Sequence, residues 1–268
     1  MNSLIELLDK VRDLLPSHSA EPLASSATKL MRTAAACPAL LDDLARVAVG
    51  KATDPEWRGE ALVDDGLALA LKMFVWPPGA SSGIHRHLDW TATAIIHGQL
   101  FVETFDEDTD PPVPAATYHG SRGDAGFLSP PCTHRVRNPG PGWTISLHLF
   151  SGPIVAGGEV PFRGRTEQTT PVESGSWSNA ELLLIGAAEL AAAMEGPCAT
   201  ELLERVARSN PPSAALHAVR LIARTDRQYA GELAISIAAG LSGANAVHVE
   251  GLGRTLLAPR APETPMHG

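Results

Sequence analysis

Two histidines separated by a single residue, His85 and His87, stand in the run GASSGIHRHLDWT at residues 79–91. In an extended run the side chains alternate between faces, so both imidazoles share one face and Arg86 takes the other. Two imidazoles on one face make half of a transition-metal site. Further donors lie in THRVRNPGPGWTISLHLF, residues 133–150. His134 opens a short strand there, 138–142 has the composition of a turn, and the returning strand places Thr144, Ser146, His148 and Phe150 on one face. Either His134 or His148 can complete a set of three imidazoles, and the local wording favours His134. The other histidine then becomes a hydrogen-bonding residue that orients the site. Three neutral imidazoles leave the charge of a divalent ion uncompensated and leave positions open for an anionic substrate and for oxygen. Imidazole ligation suits iron, nickel, copper and zinc alike, so the donor set alone does not choose among them.

An anionic substrate needs a cation. Arg86, Arg135 and Arg137 each alternate away from the neighbouring histidine and are expected on the opposite face. Arg58, just before an apolar run at 67–76, is the remaining candidate. A guanidinium there could hold a carboxylate through two parallel hydrogen bonds.

These residues also carry a family resemblance. Gly79, His85, His87 and Gly98 resemble the first cupin motif, and His134 with Asn138 resembles the HxxxN end of the second. Within the cupins, IHRH…GQLFVET and HRVRN…SLHLFSGP are similar to the thiol dioxygenases, above all cysteine dioxygenase, over roughly residues 55–155. The resemblance implies a mainly β fold with α elements, a cupin (jelly-roll) β-barrel. It implies Fe(II) held by His85, His87 and His134 with no carboxylate ligand. Ser146 and His148 match the first two members of a Ser-His-Tyr relay, and Arg58 stands within one residue of the family's substrate-binding arginine. The implied partners are a small-molecule thiol carboxylate and O2, the product being a sulfinate.

Three departures matter. Thr91 or Ala92 stands where many cupins place a glutamate. The same two residues occupy the region of the family's crosslinking cysteine. Phe150 replaces the relay tyrosine. A thiol other than free cysteine, or a different oxygenation, is therefore expected. Two other readings stay open: a cupin metal oxygenase acting on a non-thiol chelating substrate, and a non-catalytic metal-binding cupin.

Composition bounds the partners. The chain has 268 residues, 44% hydrophobic and 19% charged, which is the balance of a globular protein. A formal net charge of -9 argues against nucleic acid and anionic membrane surfaces. Cys37, Cys132 and Cys198 are too few and too scattered for a disulfide framework or a zinc ribbon. Cys132 shares a face with His134, and a small packed side chain is its expected role. The start, MNSLIELLDK, carries Glu6 and Asp9 where a signal peptide needs an unbroken apolar core. The apolar stretch at 182–194 is broken by Glu189 and too short to span a bilayer. A cytoplasmic protein with no membrane partner is expected.

The elements that must position the histidines follow from periodicity. Helices are expected over 3–15, 22–36 and 38–49, an N-terminal helical segment (1–54) packing on the barrel. Strands are expected at 60–63, 67–76, 84–87, 90–96, 99–105, 126–129, 133–137 and 143–150, within a barrel spanning 55–165. A polar linker (166–178) leads to a helical extension (179–256). In it Ser178 and Glu181 form a capping box, Thr200 caps a second helix, and further helices cover 213–224 and 229–241. The tail, 257–268, is expected to be disordered. The C-terminal helices are expected to pack on the barrel or to join copies into a homo-oligomer.

Overall fold

A computed structural model of the chain describes residues 3–14, 20–54, 62–64, 69–87, 89–106, 112–151, 160–161, 177–194, 196–209 and 211–259. Three helices come first: α1 (Leu4–Arg12), α2 (Ala20–Ala35) and α3 (Pro38–Ala52). Ten strands follow: β1 (Val63–Asp64), β2 (Leu69–Trp76), β3 (His85–His87), β4 (Thr91–His97), β5 (Gln99–Phe105), β6 (Pro114–Ser121), β7 (Ala125–Leu128), β8 (Cys132–Arg137), β9 (Thr144–Ser151) and β10 (Val160–Pro161). Five helices close the described chain: α4 (Asn179–Ala192), α5 (Pro197–Ala207), α6 (Pro212–Ile222), α7 (Arg227–Ala238) and α8 (Gly243–Leu257). Arg58, the 166–176 part of the polar linker and the tail from 260 lie outside the described residues.

The strands form two antiparallel five-stranded sheets, ordered β1-β2-β9-β4-β7 and β10-β3-β8-β5-β6. The expected barrel is thus met as two separate sheets. Among the described residues no ladder of backbone hydrogen bonds closes them into one cylinder. They face each other across a small core in which Trp76 and Ile95 of the first sheet meet Leu100 and Val136 of the second.

The other face of the first sheet is dry for a different reason. Leu69, Leu71, Met73 and Val75 of β2 join Ala92, Ala94 and Ile96 of β4 and Ile145, Leu147 and Leu149 of β9 in one large core with the helices. α2 packs on β4 and β7, while α4 packs on β2 and α3. The β9 strand is buried on both faces over Thr144–Leu149, with Ile145, Leu147 and Leu149 turned to the helices and Thr144, Ser146 and His148 on the other face. Helix α4 approaches the sheet closely at Gly186, where an added Cβ would lie 2.5 Å from Val75 Cγ2.

Local chemistry sets several boundaries. Ser178 Oγ accepts from the Glu181 N–H while Glu181 accepts from the Ser178 N–H, a reciprocal cap for α4. Helix α5 begins earlier than expected. It starts at Pro197 behind Gly196, whose φ of 100° suits glycine, so Thr200 lies inside the helix and does not cap it. Three elements fall outside the expected set, the short β10 among them. Strand β6 is mostly exposed and lacks an apolar face, and α8 is glycine-bearing with only Val249 and Gly253 buried. No described helix is long and apolar enough to cross a membrane.

Candidate metal centre

His85 and His87 leave β3 on its inner face, and Arg86 leaves on the other. Strand β3 pairs antiparallel with β8, placing His134 directly opposite His85. The three rings converge: centroids are 4.3 Å apart for His85–His134, 4.9 Å for His87–His134 and 5.0 Å for His85–His87. One donor nitrogen from each lies within 4.8 Å of the others. Metal–nitrogen bonds of about 2.0–2.1 Å bring two ligands of one ion to within about 4.2 Å, so nitrogens at the upper bound must draw together slightly to share an ion.

Hydrogen bonding prepares the donors. His85 Nδ1 lies 2.9 Å from the Gly83 carbonyl oxygen. A carbonyl only accepts, so Nδ1 carries the proton and Nε2 keeps its lone pair. His134 is 3% exposed, and its ring is held beside the other two, an arrangement consistent with a shared cation. Burial first, then the neighbouring His85 and His87, pushes the His134 imidazolium down to about 2, so the ring is neutral at ordinary pH. A neutral set of imidazoles without carboxylates fits a borderline divalent ion such as Fe(II), Ni(II), Cu(II) or Zn(II).

His148 stands apart from this group, on β9 of the facing sheet. Both its ring nitrogens are engaged: Nε2 with Ser146 Oγ at 2.7 Å and Nδ1 with Thr93 Oγ1 at 3.0 Å. The Trp76 indole N–H donates to the same Ser146 oxygen at 2.9 Å. Indole can only donate, so Trp76 fixes the end of a chain running Trp76–Ser146–His148–Thr93. Burial, followed by the fields of His87 and His85, pushes His148 down to about 3. The structure therefore gathers His85, His87 and His134 into one cluster and engages His148 in a separate network.

Phe150 connects the two groups. Its ring is 5.6 Å from that of His87 and stacks at 6.0 Å on that of His148. Phe74 meets His148 edge-on at 4.7 Å. The residues that sequence reasoning missed are Trp76, Thr93 and Lys72. Lys72 lies opposite His148 in the β2–β9 ladder, with Nζ 5.5 Å from the Phe150 ring centre. The even spacing of Lys72, Phe74 and Trp76 along β2 was readable in the sequence. Their pairing with β9 was not, because it depends on long-range register.

The expected outward arginines behave differently. Arg135 donates to Glu103 on the outer face of the second sheet, at 2.9 Å from Nε, while Arg137 lies at ion-pair distance from the same carboxylate, 3.5 Å. Arg137 also covers the Phe101 ring at 4.4 Å. Asn138 is a fastener: its side-chain N–H groups reach the carbonyls of Trp76, Pro77 and Gly142, and its oxygen accepts from the Gly140 N–H. Gly98, at φ 76°, turns β4 into β5 where a Cβ would strike Thr144 Oγ1 and the Trp143 carbonyl.

A second polar cluster sits between sheet and helices. Glu189 of α4 is buried and bonded to His217 at 2.9 Å, with His97 at 3.7 Å. Burial alone would raise the Glu189 carboxyl, but the His217 hydrogen bond and charge hold it below its ordinary range. His97, beside the Gly98 turn, is half-buried by this contact.

No family model matches the chain, and no curated protein matches it. Solved structures do. One is a DMSP lyase, 19% identical over 31% of this chain and 38% of that one, with TM-score 0.27. Another is the oxalate decarboxylase of Bacillus subtilis, described with Mn(II) centres, 23% identical over 35% of this chain and 24% of that one, with TM-score 0.31. A third is the Cnp3 cupin domain of Schizosaccharomyces pombe, 13% identical over 35% and 59%, with TM-score 0.30. This chain spans less than two thirds of each.

Proposed function

We propose that this chain is a metal-dependent cupin enzyme, a mononuclear non-haem Fe(II) dioxygenase. It oxidises the sulfur of a small thiol carboxylate, cysteine-like or mercaptopropionate-like, to a sulfinate. One observation carries the reading: three clustered imidazoles with no carboxylate among them, faced by a Ser146–His148 pair on the opposite wall. Ferrous iron held by His85, His87 and His134 would supply dioxygen binding and activation, and would take the substrate thiolate as an anionic ligand. The balance is self-contained. Both atoms of O2 go to one sulfur, the sulfur loses four electrons, O2 gains four, and no external reductant is needed.

The chain's own residues do the rest. His148, kept neutral by burial and engaged at both nitrogens, holds a fixed ring beside the reacting centre rather than a mobile charge. Ser146 passes the orientation set by Trp76 to His148. Phe150 and Phe74 exclude water from that wall. Arg58 is the sequence-based candidate for binding the carboxylate. A cytoplasmic setting would keep Cys37, Cys132 and Cys198 as the free thiols that the structure shows. A homo-oligomer joined through the C-terminal helices would cover α8, whose Val247 and Leu257 are exposed.

The test is oxygen uptake by anaerobically Fe(II)-loaded protein against cysteine, mercaptopropionate and cysteamine, with the product identified by mass. One O2 consumed per thiol and a gain of two oxygens support the reading. No uptake with any of the three overturns it. A second reading, oxygenation of a non-thiol chelator on the same metal, is favoured by Phe150. An apolar ring touches His87 and His148 where the thiol dioxygenase resemblance calls for a phenol.

A further inference from the structure

The wall opposite the histidines carries two polar groups with no hydrogen-bond or ion-pair partner among the described residues. Lys72 lies on the inner face of β2, in line with Phe74 and Trp76. It is half-buried with its ammonium 5.5 Å from the centre of the Phe150 ring. Among the described residues no carboxylate pairs with it; Glu103 is taken by Arg135 and Arg137 on the far face of the other sheet. Thr91 lies on the inner face of β4, directly opposite Phe150 in the β4–β9 ladder. It is 2% exposed, and its hydroxyl has no hydrogen-bond partner. Its neighbour on the same face, Thr93, is already bonded to His148.

A half-buried cation without a counter-charge and a buried hydroxyl without a partner are each unfavourable alone. Both flank one aromatic ring, and that ring lies 5.6 Å from His87. The Phe150 face attracts the ammonium weakly but offers no hydrogen bond and no counter-charge to either group. We propose that Lys72 and Thr91 form an anion subsite beside the histidine cluster that takes the carboxylate of a chelating substrate. The ammonium and the hydroxyl donate to the two carboxylate oxygens, while the other end of the molecule reaches the metal. This rests on the metal-site reading above and adds an anchor to Arg58, the sequence-based candidate. It also selects among substrates: a carboxylate-bearing ligand is preferred over a neutral or cationic one of the same length.

The test uses the full chain loaded with Co(II), whose visible and near-ultraviolet absorption reports ligand binding without turnover. Wild type is titrated with 3-mercaptopropionate, with 3-mercaptopropan-1-ol, and with malonate, which has no sulfur. The carboxylate thiol is expected to bind more tightly than the alcohol by roughly tenfold to a hundredfold, the range of a hydrogen bond to a charged group. Lys72→Gln should erase that preference by weakening only the carboxylate ligands, and Lys72→Arg should retain most of it. Thr91→Val, nearly isosteric, should lower it in part and serves where Lys72→Gln fails to fold.

A preference unchanged in both Lys72→Gln and Thr91→Val overturns the subsite while leaving the metal site standing. Co(II) binding with a response to malonate but to neither thiol sinks the thiol reading. Loss of the malonate response in Lys72→Gln would then still support the subsite. Failure of wild type to bind Co(II), or to respond to any carboxylate, overturns both.

Discussion

His85 and His134 stand directly opposite each other across the β3–β8 ladder, with ring centroids 4.3 Å apart. Cross-strand neighbours on one face are fixed by backbone register. The pair is therefore built into the sheet and does not depend on a loop. His87, two residues along the same strand, completes the cluster.

That geometry separates His134 from His148 by experiment. His85→Ala, His87→Ala and His134→Ala should each lower metal affinity by more than about 100-fold, beyond the range seen for residues that only orient ligands. His148→Ala should retain the metal within about 10- to 100-fold and lose activity instead. Metal analysis after dialysis, together with isothermal titration, distinguishes the two classes. Equal metal loss in His148→Ala would place that ring among the ligands.

Acid sensitivity follows from the two buried rings. In the unfolded chain these histidines take up protons below about pH 6.5, whereas in the folded chain His134 and His148 do so only near 2 and 3. Between those values the unfolded state binds more protons, so stability rises with pH there. Stability of the metal-free protein is thus full above about pH 6.5 and declines as pH falls towards 3, by up to about 1.4 kcal/mol per pH unit for each group. Urea midpoints at pH 7, 6, 5 and 4 check this. His148→Asn should flatten the slope, and bound metal should raise the midpoint at pH 7.

Phe150→Tyr places a hydroxyl between His87 and His148. If the site handles thiols, cysteine turnover should rise by about tenfold or more, within the range a positioned acid–base group supplies. Steady-state oxygen uptake with cysteine and mercaptopropionate reads the change. No gain with either points to the non-thiol oxygenation.

Asn138→Ala removes the fastener of the 138–142 turn and leaves the Trp76, Pro77 and Gly142 carbonyls without their shared donor. A loss of about 1–3 kcal/mol is expected from leaving buried polar groups unpaired. Chemical denaturation measures it, and Asn138→Asp, which keeps the acceptor but loses the donors, should recover little.

Much of the site was legible because its signals are local. The His85–Arg86–His87 alternation needs only a strand, and the 138–142 turn announces itself by proline and glycine. The Ser178–Glu181 cap is equally short-range. What was not legible depends on partners distant in sequence. Lys72 reads as one polar residue in an apolar strand until β9 is laid beside β2, and Thr91 reads as a substitution until Phe150 stands opposite. His97 stands beside the Gly98 turn, and Glu189, which covers it, arrives 92 positions later on α4. Strand β6 escaped notice since an exposed edge has no apolar alternation to detect. Thr200 misled because a proline after a positive-φ glycine starts the helix first.

The histidine cluster lies wholly on one sheet, while Lys72, Thr91, Thr93, Ser146, His148 and Phe150 lie wholly on the other. The proposed metal ligands thus sit on one panel, and the groups proposed to orient and recognise the substrate sit on the other. Substitutions on the recognition panel can retune which molecule is accepted while the metal-holding panel stays as it is. Such a layout lets a lineage explore new substrates without first surrendering its chemistry.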